Sequence, residues 1–371
     1  MKILMVSTDE KILDEKSAVR KRMIWYSGAC EELHIIVISG RGFYEEQVED
    51  LPLWIWPTNS YTKWLGWRDA FRVAKQIFSE RGKDGFLITT QDELAGIAGF
   101  LIKKRYKIPW QAQIHSDITS PFFSKHSFQN KLRVIAARFI FARATCLRFV
   151  SLRVRVGIEK WRRFKNIPSS ILPVYTPLND YIALGKEKAS EGPAFDFAIL
   201  MISRLTREKN IDLALEALAD IIKQKPQTSL IIVGEGPERV KLEKKAQALN
   251  LGAHVSFEGW KEDLTPYFRA SDLYLLTSWY EGYGLAVTEA MAAGLPVVMT
   301  DVGIAGDIVK DGESGLIVPV GSKDGAREAI LKLIESKETY HTIRENALKI
   351  VQDFPIEEDY LEKLRESWNK C

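Results

Sequence analysis

The sequence predicts an α/β protein with two doubly wound parallel sheets, one in each half of the chain. Three observations support this prediction. Short β-branched apolar runs alternate with longer helical patterns, the alternation pauses once at residues 176–195, and it then resumes. The chain has 371 residues, of which 46% are apolar and 27% charged, so it is long enough to bury two hydrophobic cores.

The first half contains seven apolar runs of strand length. Such runs, separated by helical patterns, are typical of a parallel sheet that helices cover on both faces. In chain order they are KILMVST, LHIIVIS, LWIWP, FLITT, WQAQIHS, CLRFVS and SILPVY. They predict a Rossmann-like domain over residues 1–178.

The second half repeats this organisation after a pause. The stretch TPLNDYIALGKEKASEGPAF, residues 176–195, is polar and punctuated by Gly and Pro, so it predicts a linker. Six further runs follow it: FAILMIS, SLIIVGEG, HVSFEG, DLYLLTS, LPVVMT and GLIVPV. They predict a second Rossmann-like domain over residues 179–353.

Residues 354–371 predict a separate C-terminal helix. Pro355 interrupts the preceding helix. An apolar stripe then recurs at helical spacing, formed by Tyr360, Leu361, Leu364 and Trp368. We expect this helix to cross back and pack on the N-terminal domain.

Cysteine usage and the amino terminus indicate the compartment. Cys30, Cys146 and Cys371 form no paired motif, so we expect no disulfide and a reducing environment such as bacterial cytoplasm. The start MKILMVSTDE reaches an acidic residue too early for a secretory segment, and no run of about 18 apolar residues follows. We expect a cytoplasmic protein, soluble or peripheral on the inner face of the cytoplasmic membrane.

The motif EGYGLAVTEAMAAGLPVV, residues 281–298, follows a predicted strand, where open parallel sheets bind ligands. Gly282 and Gly284 let the backbone approach a ligand, and the next helix begins with amides that suit a diphosphate. Carboxylates repel phosphate, so Glu281 and Glu289 are expected to accept hydrogen bonds from sugar and ribose hydroxyls. The alternative is that both are solvated surface residues.

A second motif, SRLTREKN at residues 203–210, follows the first strand of the second half. Arg204 and Lys209 flank its strand-to-helix loop, where a guanidinium and an ammonium can hold diphosphate oxygens without a metal. The alternative is again solvation at the surface.

Together the ordered motifs resemble the nucleotide-sugar half of the family 4 retaining glycosyltransferases, which have the GT-B fold. The motifs are SRLTREKN, GEGP, FEGW, EGYGLAVTEAMAAGLPVV and GDIVKDGESGLIVP. The resemblance is close over residues 196–320 and looser over residues 1–180. It implies two Rossmann-like domains facing a central cleft, and transfer of a hexose-type sugar from a UDP- or GDP-sugar to a glycan or lipid-linked acceptor.

The resemblance also implies residue roles. Arg204 and Lys209 would bind the donor diphosphate, Glu281 would contact the donor sugar, and Glu289 would contact the ribose. The remaining donor-binding residues would be Gly234, Trp260, Lys261, Gly282, Tyr283, Gly284 and Leu285.

In the first half, His115 lies at the end of the strand predicted in WQAQIHS, and a histidine at this place in the family borders the reacting sugar. We therefore count His115 as both catalytic and acceptor-binding, beside the catalytic Arg204, Lys209 and Glu281. The loop after the first strand lacks the glycine-rich turn frequent in the family. Ser17 and Arg20 occupy that region and are expected to contact the acceptor.

The family has no agreed protein nucleophile. The resemblance implies attack on the face that the nucleotide leaves, with a diphosphate oxygen accepting the acceptor's proton and Arg204 and Lys209 stabilising the developing negative charge. No Asp-x-Asp triplet occurs in the sequence. We therefore expect no metal, and no cofactor besides the donor.

Residues 125–165, here called the basic segment, contain twelve Lys or Arg against the single acidic Glu159, a local charge of +11. Aromatic residues interleave with them, and Trp54, Trp56, Trp64 and Trp67 are nearby in sequence. We expect the segment to meet an anionic membrane. Nucleic acid is the competing polyanion and is not expected. A helical wheel of KLRVIAARFIFAR gives no clean two-faced helix, so solvated helices around a core strand are the alternative.

Three other functions fit parts of the sequence. A non-catalytic nucleotide-binding or membrane-scaffold protein could keep the fold, although Arg204, Lys209, Glu281 and Glu289 are all present. A sugar epimerase of the same fold is the second. A nicotinamide oxidoreductase is the third, because IIVGEGPERV imitates a dinucleotide turn, but Arg239 replaces the third glycine.

Overall fold

The computed structural model describes residues 1–187 and 197–371, and the chain divides into two compact units. Unit 1 comprises Met1–Tyr175 together with Pro355–Cys371, and unit 2 comprises Thr176–Phe354. Each unit contains one sheet with helices packed against it.

Unit 1 contains an eight-stranded sheet in the order β3-β4-β2-β1-β5-β6-β7-β8. Its strands are β1 (Lys2–Ser7), β2 (Glu32–Val37), β3 (Glu46–Gln47), β4 (Leu53–Pro57), β5 (Phe86–Gln91), β6 (Trp110–Ile114), β7 (Cys146–Phe149) and β8 (Ser169–Ile171). All neighbours pair in parallel except β3 with β4. Each of the seven predicted runs contains a strand, although β8 includes only Ser170 and Ile171 of SILPVY. The prediction missed β3 because two exposed polar residues present no apolar pattern.

The helices of unit 1 cover both faces of this sheet, as a parallel sheet requires. They are α1 (Ala18–Ser27), α2 (Gly66–Arg81), α3 (Asp92–Tyr106), α4 (Pro121–His126), α5 (Phe128–Phe141), α6 (Leu152–Glu159) and, from the chain end, α14 (Glu357–Asn369).

Unit 2 contains a six-stranded parallel sheet in the order β11-β10-β9-β12-β13-β14. Its strands are β9 (Phe197–Ile202), β10 (Thr228–Val233), β11 (Val255–Gly259), β12 (Leu273–Leu276), β13 (Val297–Thr300) and β14 (Leu316–Val318). Its helices are α7 (Asn179–Glu187), α8 (Ile211–Ile221), α9 (Arg239–Ala248), α10 (Thr265–Arg269), α11 (Leu285–Ala292), α12 (Lys323–Glu335) and α13 (Lys337–Gln352). All six predicted runs are confirmed as strands.

The predicted linker is partly wrong, because Asn179–Glu187 forms α7. This helix packs closely on α11: a Cβ added to Gly185 would lie 2.4 Å from the carbonyl oxygen of Ala292. Glycine at this position allows the two backbones to meet. The rest of the predicted linker, from residue 188, lies outside the described residues.

The C-terminal helix α14 packs within unit 1, as the predicted fold class required. Tyr360, Leu364 and Trp368 are buried in the hydrophobic core that β1, β2 and α1 share. The hydroxyl of Tyr360 donates to the carbonyl of Pro173 at 2.6 Å and accepts from Arg148 Nη2 at 2.7 Å. The apolar stripe read from the sequence is therefore the face that docks.

The expectation of no disulfide is wrong: Cys146 on β7 is bonded to Cys371, with their Cα atoms 5.1 Å apart. The docking of α14 brings the last residue of the chain beside β7, and 225 positions of sequence separate the two cysteines. Pairing over such a distance leaves no spacing motif to find, and the bond removes the support that cysteine usage gave to a reducing compartment. Cys30 is a free thiol.

Both sheets have a topological switch point, where successive strands begin to be added on the opposite side. It lies between β1 and β5 in unit 1, and between β9 and β12 in unit 2. The carboxyl ends of such strand pairs are the usual ligand sites of open parallel sheets. Among the described helices, none has the length and apolar character needed to cross a bilayer.

Candidate functional site

The loops that follow β9 and β12 meet at the switch point of unit 2. Asn210 ends a 3₁₀ turn over Arg207–Lys209 and adopts a left-handed conformation with φ of 51°. The hydroxyl of Thr277, just beyond β12, donates to the carbonyls of Lys209 and Asn210 at 3.0 Å each. The amide of Trp279 donates to the carbonyl of Glu208 at 2.8 Å. The two predicted motifs are thus held side by side.

Lys209 and Glu281 form an ion pair where these loops meet. Lys209 Nζ lies 2.5 Å from Glu281 Oε1, and the side chains are only 16% and 13% exposed. The hydroxyl of Ser278 donates to the same carboxylate oxygen at 2.7 Å. The sequence interpretation assigned Lys209 and Glu281 to neighbouring groups of one donor, and the structure brings their side chains into direct contact.

The backbone after Glu281 is shaped for close approach to the start of α11. Gly284 precedes this helix with φ of 103°, and no described side chain caps it. The first amides of α11 therefore retain the capacity to bind an anion. Behind this loop, a Cβ on Gly303 would lie 2.2 Å from the carbonyl oxygen of Tyr283, and the amide of Ile304 donates to that oxygen at 3.1 Å.

Glu289 lies in the second turn of α11, in a poorly solvated position. Burial raises the pKa of this carboxyl to about 7. Tyr181 on α7 and Tyr274 on β12 are close enough that the charge of Glu289 helps to raise the pKa of each phenol, after the larger effect of burial. The carboxylate form of Glu289, which predominates above pH 7, accepts hydrogen bonds from hydroxyl groups. The arrangement suits contact with ribose hydroxyls.

Arg204 lies at the exposed rim of this site. Its side chain is 75% exposed, and Nη2 lies 3.3 Å from Glu208 Oε1. Glu208 also accepts from the hydroxyl of Thr206 at 2.7 Å. The guanidinium is therefore oriented by a neighbour and remains accessible to solvent.

The other predicted donor residues surround the ends of β10 and β11. Gly234 has φ of 138°, and a Cβ there would lie 1.9 Å from the carbonyl oxygen of Ser203, so only glycine fits. Trp260 is 63% exposed just beyond β11, and Lys261 Nζ lies 5.9 Å from the ring centroid of Tyr267. Base contact by Trp260 and Lys261 stays a prediction.

The sequence interpretation missed three residues of this site. Ser278 supports Glu281, Gly303 supports the loop of Tyr283, and Tyr181 approaches Glu289. Ser278 and Gly303 each follow a strand end closely, which is the signal that could have identified them. Tyr181 gave no signal, because its helix was interpreted as a linker.

Comparison with known proteins shows what this region resembles. Residues 186–350 match the family model described as Glycosyl transferases group 1. Residues 186–350 are therefore similar to group 1 glycosyltransferases. Over 314 residues it is 24% identical to an uncharacterised glycosyltransferase of Methanocaldococcus jannaschii, covering 82% of this chain and 77% of that protein.

Solved structures extend the likeness of fold to the whole chain. Sucrose-phosphate synthase from Thermosynechococcus elongatus matches with a TM-score of 0.81 and 21% identity, covering 100% of this chain and 98% of that one. Anabaena HepE in complex with UDP matches with a TM-score of 0.76 and 21% identity, covering all of both chains. These likenesses confirm the predicted GT-B fold.

In unit 1, His115 follows β6 at the carboxyl edge of the sheet. Its Nε2 lies 3.1 Å from Gln113 Oε1. Burial, reinforced by the charges of Arg148 and Arg22, lowers the pKa of His115 to about 3. The imidazole is therefore neutral at physiological pH, which suits a hydrogen-bonding role.

Ser17 and Arg20, the other predicted acceptor residues, both have partners within unit 1. The Ser17 hydroxyl accepts from the amide of Arg20 at 3.0 Å and thereby caps α1. Arg20 is buried, with Nη2 2.5 Å from Glu46 Oε1 and Nη1 3.2 Å from the carbonyl of Ile12. Their contact with an acceptor stays a prediction.

The basic segment is divided between core and surface. Arg148 is 2% exposed and donates to the carbonyls of Leu172 and Pro173, so it belongs to the core. Trp56 is also buried, and Trp54 stacks on His34 with ring centroids 4.6 Å apart, which contradicts the grouping of these tryptophans with a surface. Trp64 is 73% exposed.

Helix α5 presents an apolar stripe to solvent, here called the α5 stripe. Its four residues are between 51% and 74% exposed: Phe128, Leu132, Ile135 and Phe139. Their spacing of four, three and four places them on one face, opposite the buried Ala137, Ile140 and Phe141. Lys125, Lys131 and Arg138 are exposed beside them. The wheel failed to show two faces because both the inner and the outer face are apolar.

Proposed function

We propose that the protein transfers a hexose-type sugar from a UDP-sugar to an amphiphilic, lipid-linked acceptor, with retention of anomeric configuration and without a metal. The donor site is the switch point of unit 2, and the acceptor is met at an anionic membrane surface on the cytoplasmic side. The ion pair of Lys209 and Glu281, beside the start of α11, is the observation that supports this proposal most directly.

The donor fits this site by charge. A diphosphate carries two negative charges, and the site offers Lys209, Arg204 and the uncapped amides of α11. Within the described ranges, no group of three or more His, Cys, Asp or Glu side chains is placed to hold a metal ion. Lys209 and Arg204 are the proposed counter-charges. The crystal structure of Anabaena HepE in complex with UDP supports uridine as the base to test first.

The reaction breaks the bond between the sugar's anomeric carbon and a phosphate oxygen, and it forms a bond from that carbon to the acceptor oxygen. The acceptor's proton passes to the departing diphosphate. Lys209 and Arg204 stabilise the negative charge that develops on it. When the diphosphate engages Lys209, Glu281 is released to accept hydrogen bonds from sugar hydroxyls. The existing ion pair thus keeps both side chains oriented before the donor arrives.

Donor binding can be tested with UDP-glucose, GDP-mannose and ADP-glucose by thermal stabilisation, in the presence of EDTA. We expect UDP-glucose to raise the melting temperature most, and Lys209→Ala to remove the shift. Lys244→Ala is the matched control, because Lys244 is an exposed lysine of the same unit. Equal responses of wild type and Lys209→Ala would contradict the proposed site. Proton NMR of the product then reports whether the anomeric configuration is retained.

Membrane contact is proposed from the α5 stripe and its basic neighbours. A helix with apolar residues facing solvent and lysines beside them matches an anionic bilayer, where each basic residue contributes about 1 kcal/mol. We expect the protein to sediment with phosphatidylglycerol vesicles and far less with phosphatidylcholine vesicles. Ile135→Ser should reduce binding, whereas Val240→Ser, at an exposed valine of unit 2, should not. Equal sedimentation with both vesicle types would count against the membrane role.

A further inference from the structure

A cavity of about 380 Å³ lies in unit 1 between α3 and α5. Leu94 and Ile97 of α3 form one wall, Leu132 and Ala136 of α5 form the other, and Trp64 lies at the mouth. Small-molecule sites are typically apolar clefts of about 300–1,000 Å³ with a few polar groups, so this cavity is large enough for a ligand.

The polar groups of the cavity converge at one end. The hydroxyl of Thr8 donates to Asp92 Oδ2 at 2.6 Å, while Asp92 Oδ1 accepts from the amides of Leu94 and Ala95 at 2.9 and 3.1 Å. Asp92 adopts φ of 65°, a conformation uncommon outside glycine and frequent at functional sites. Burial raises the pKa of Asp92 to about 6, so its carboxylate predominates at neutral pH.

This polar end occupies the switch point of the unit 1 sheet. Thr8 follows β1 and Asp92 follows β5, and these two strands are the pair at which the strand order reverses. The same position in the unit 2 sheet holds Lys209 and Glu281. The cavity therefore has the location expected of a ligand site, independently of its size.

The apolar end opens to solvent beside the α5 stripe. Trp64 and Leu132 both line the cavity and are 73% and 51% exposed. Leu132 also belongs to the α5 stripe, so the apolar surface continues from the proposed membrane contact into the cavity. On the wall, Arg133 Nε pairs with Glu93 Oε1 at 2.5 Å, so these opposite charges are already matched.

We propose that this cavity binds the apolar chain or ring of an amphiphilic acceptor, whose hydroxyl-bearing head lies beside Thr8 and Asp92. An apolar wall, a hydroxyl-accepting carboxylate at one end and an opening onto the membrane-facing stripe match this chemistry. The assignment of the ligand as an acceptor rests on the proposed transferase function, whereas the binding of an amphiphile does not.

Binding is tested without any donor, by tryptophan quenching with octyl glucoside brominated in its chain, below the concentration at which it forms micelles. We expect saturable quenching that Trp64→Phe largely removes and that unbrominated octyl glucoside competes away. Octanol should compete more weakly, since it lacks the sugar head, and glucose should not compete. Unsaturable quenching, or quenching that survives Trp64→Phe, would overturn the proposal.

The second test fills the cavity. Ala136→Phe should weaken octyl glucoside binding by about tenfold, because it occupies the space that would bury several methylene groups. Ile135→Phe is the matched control, since it adds bulk to the outward face of the same helix. Leu132→Ala enlarges the cavity and should shift the preference from octyl towards dodecyl glucoside. An unchanged preference and unchanged affinity in the folded variants would refute the site.

The two proposals fail separately. If the protein binds the alkyl glucoside but transfers no sugar from any nucleotide donor, the cavity site stands and the transferase function is refuted. If the protein transfers sugar, but its Michaelis constant depends neither on acceptor chain length nor on Ala136→Phe, the transferase function stands and the cavity site is refuted.

Discussion

The two sheet edges of this molecule place polar residues at equivalent positions but hold them in different ways. At the switch point of unit 2, Lys209 and Glu281 contact each other across 72 positions of sequence, each within a short recognisable motif. In unit 1, His115 pairs with nearby Gln113, whereas Arg20 is buried against Glu46. The unit 2 edge holds an ion pair beside the uncapped start of α11, and the unit 1 edge holds a largely apolar cavity with one carboxyl end.

This difference corresponds to what each edge would bind. The diphosphate is the same in UDP-, GDP- and ADP-sugars, so a fixed pair of loops with a fixed charge pattern can bind it. An acceptor differs from enzyme to enzyme, and a cavity built from helix faces can change shape without altering the sheet. Sequence motifs are therefore informative at the unit 2 edge and weak at the unit 1 edge.

The largest expected effect comes from the Lys209–Glu281 pair. Lys209→Met should lower kcat/KM by about 10²–10³, because it removes a cation from the developing negative charge. It should also destabilise unit 2, since the carboxylate of Glu281 is mostly buried and loses its partner. Steady-state kinetics and thermal unfolding of the same preparations measure both effects.

The double variant Lys209→Met/Glu281→Gln separates these two contributions. Replacing the carboxylate by an amide removes the unpaired charge, so stability should recover while activity stays low. If the double variant regained activity together with stability, the pair would be a structural ion pair and the comparison between the two edges would fail.

Much of the fold could be predicted because it depends on local patterns. All thirteen apolar runs form strands, and the helical stripe of Tyr360, Leu364 and Trp368 docks as expected. In the site, Lys209 and Glu281 lie together because each follows a strand at one switch point. Both successes rest on periodicity or on strand ends.

The errors share a different physical cause, which is pairing between distant positions. Arg148 appears in the sequence as one more cation of a basic segment, yet it reaches Tyr360, 212 positions away, and is buried. Cys146 finds Cys371 for the same reason. The cavity near Asp92 has walls from separate helices, so no single motif indicated it. Such contacts follow only from the assembled unit.

The next largest effect is expected at Arg148. Arg148→Met removes a buried guanidinium that donates to Leu172, Pro173 and Tyr360, so two carbonyls lose a donor. We expect a loss of about 2–4 kcal/mol in the free energy of unfolding, measured by urea denaturation. Arg163→Met, at an exposed position of the basic segment, should change it little. Equal stability of the two variants would indicate that Arg148 behaves like the exposed residues of the basic segment, and it would contradict the place of Arg148 in the core.

The disulfide is expected to contribute somewhat less. Cys371→Ser should lower the free energy of unfolding of the oxidised protein by about 2–3 kcal/mol, because the bond restricts the unfolded chain over a long loop. A reducing agent should destabilise the wild type similarly and leave Cys371→Ser unaffected. Cys30→Ser is the control, since burial raises the pKa of the Cys30 thiol to about 12 and keeps it protonated. UDP-glucose affinity should be unchanged in Cys371→Ser, in the reduced wild type and in Cys30→Ser, because the bond belongs to unit 1. A lower donor affinity in Cys371→Ser would contradict the expectation that this bond stabilises unit 1 without affecting the donor site of unit 2.

The smallest expected effect is the pH dependence of donor binding through Glu289. Because the pKa of Glu289 is about 7, its carboxyl becomes protonated as pH falls from 8 to 6. A protonated carboxyl is a poor acceptor of hydrogen bonds from ribose hydroxyls. Affinity for UDP-glucose should fall about tenfold over this interval, measured by calorimetry at constant ionic strength. His115 does not contribute, because its pKa of about 3 keeps it neutral throughout.

Glu289→Gln identifies the titrating group. Its affinity should be independent of pH between 6 and 8, because the amide accepts hydrogen bonds without titrating. The same substitution should also remove the effect of this carboxyl on the stability of the fold. That effect changes with pH in the opposite direction to donor affinity. A carboxyl whose folded pKa lies above its unfolded value of about 4.5 destabilises the fold as pH rises from that value to 7, so the wild type should lose stability across this window relative to Glu289→Gln. The wild type could instead show a donor affinity that is independent of pH, together with the expected pH-dependent difference in stability from Glu289→Gln. That result would place Glu289 in the interior of unit 2 and away from the ribose.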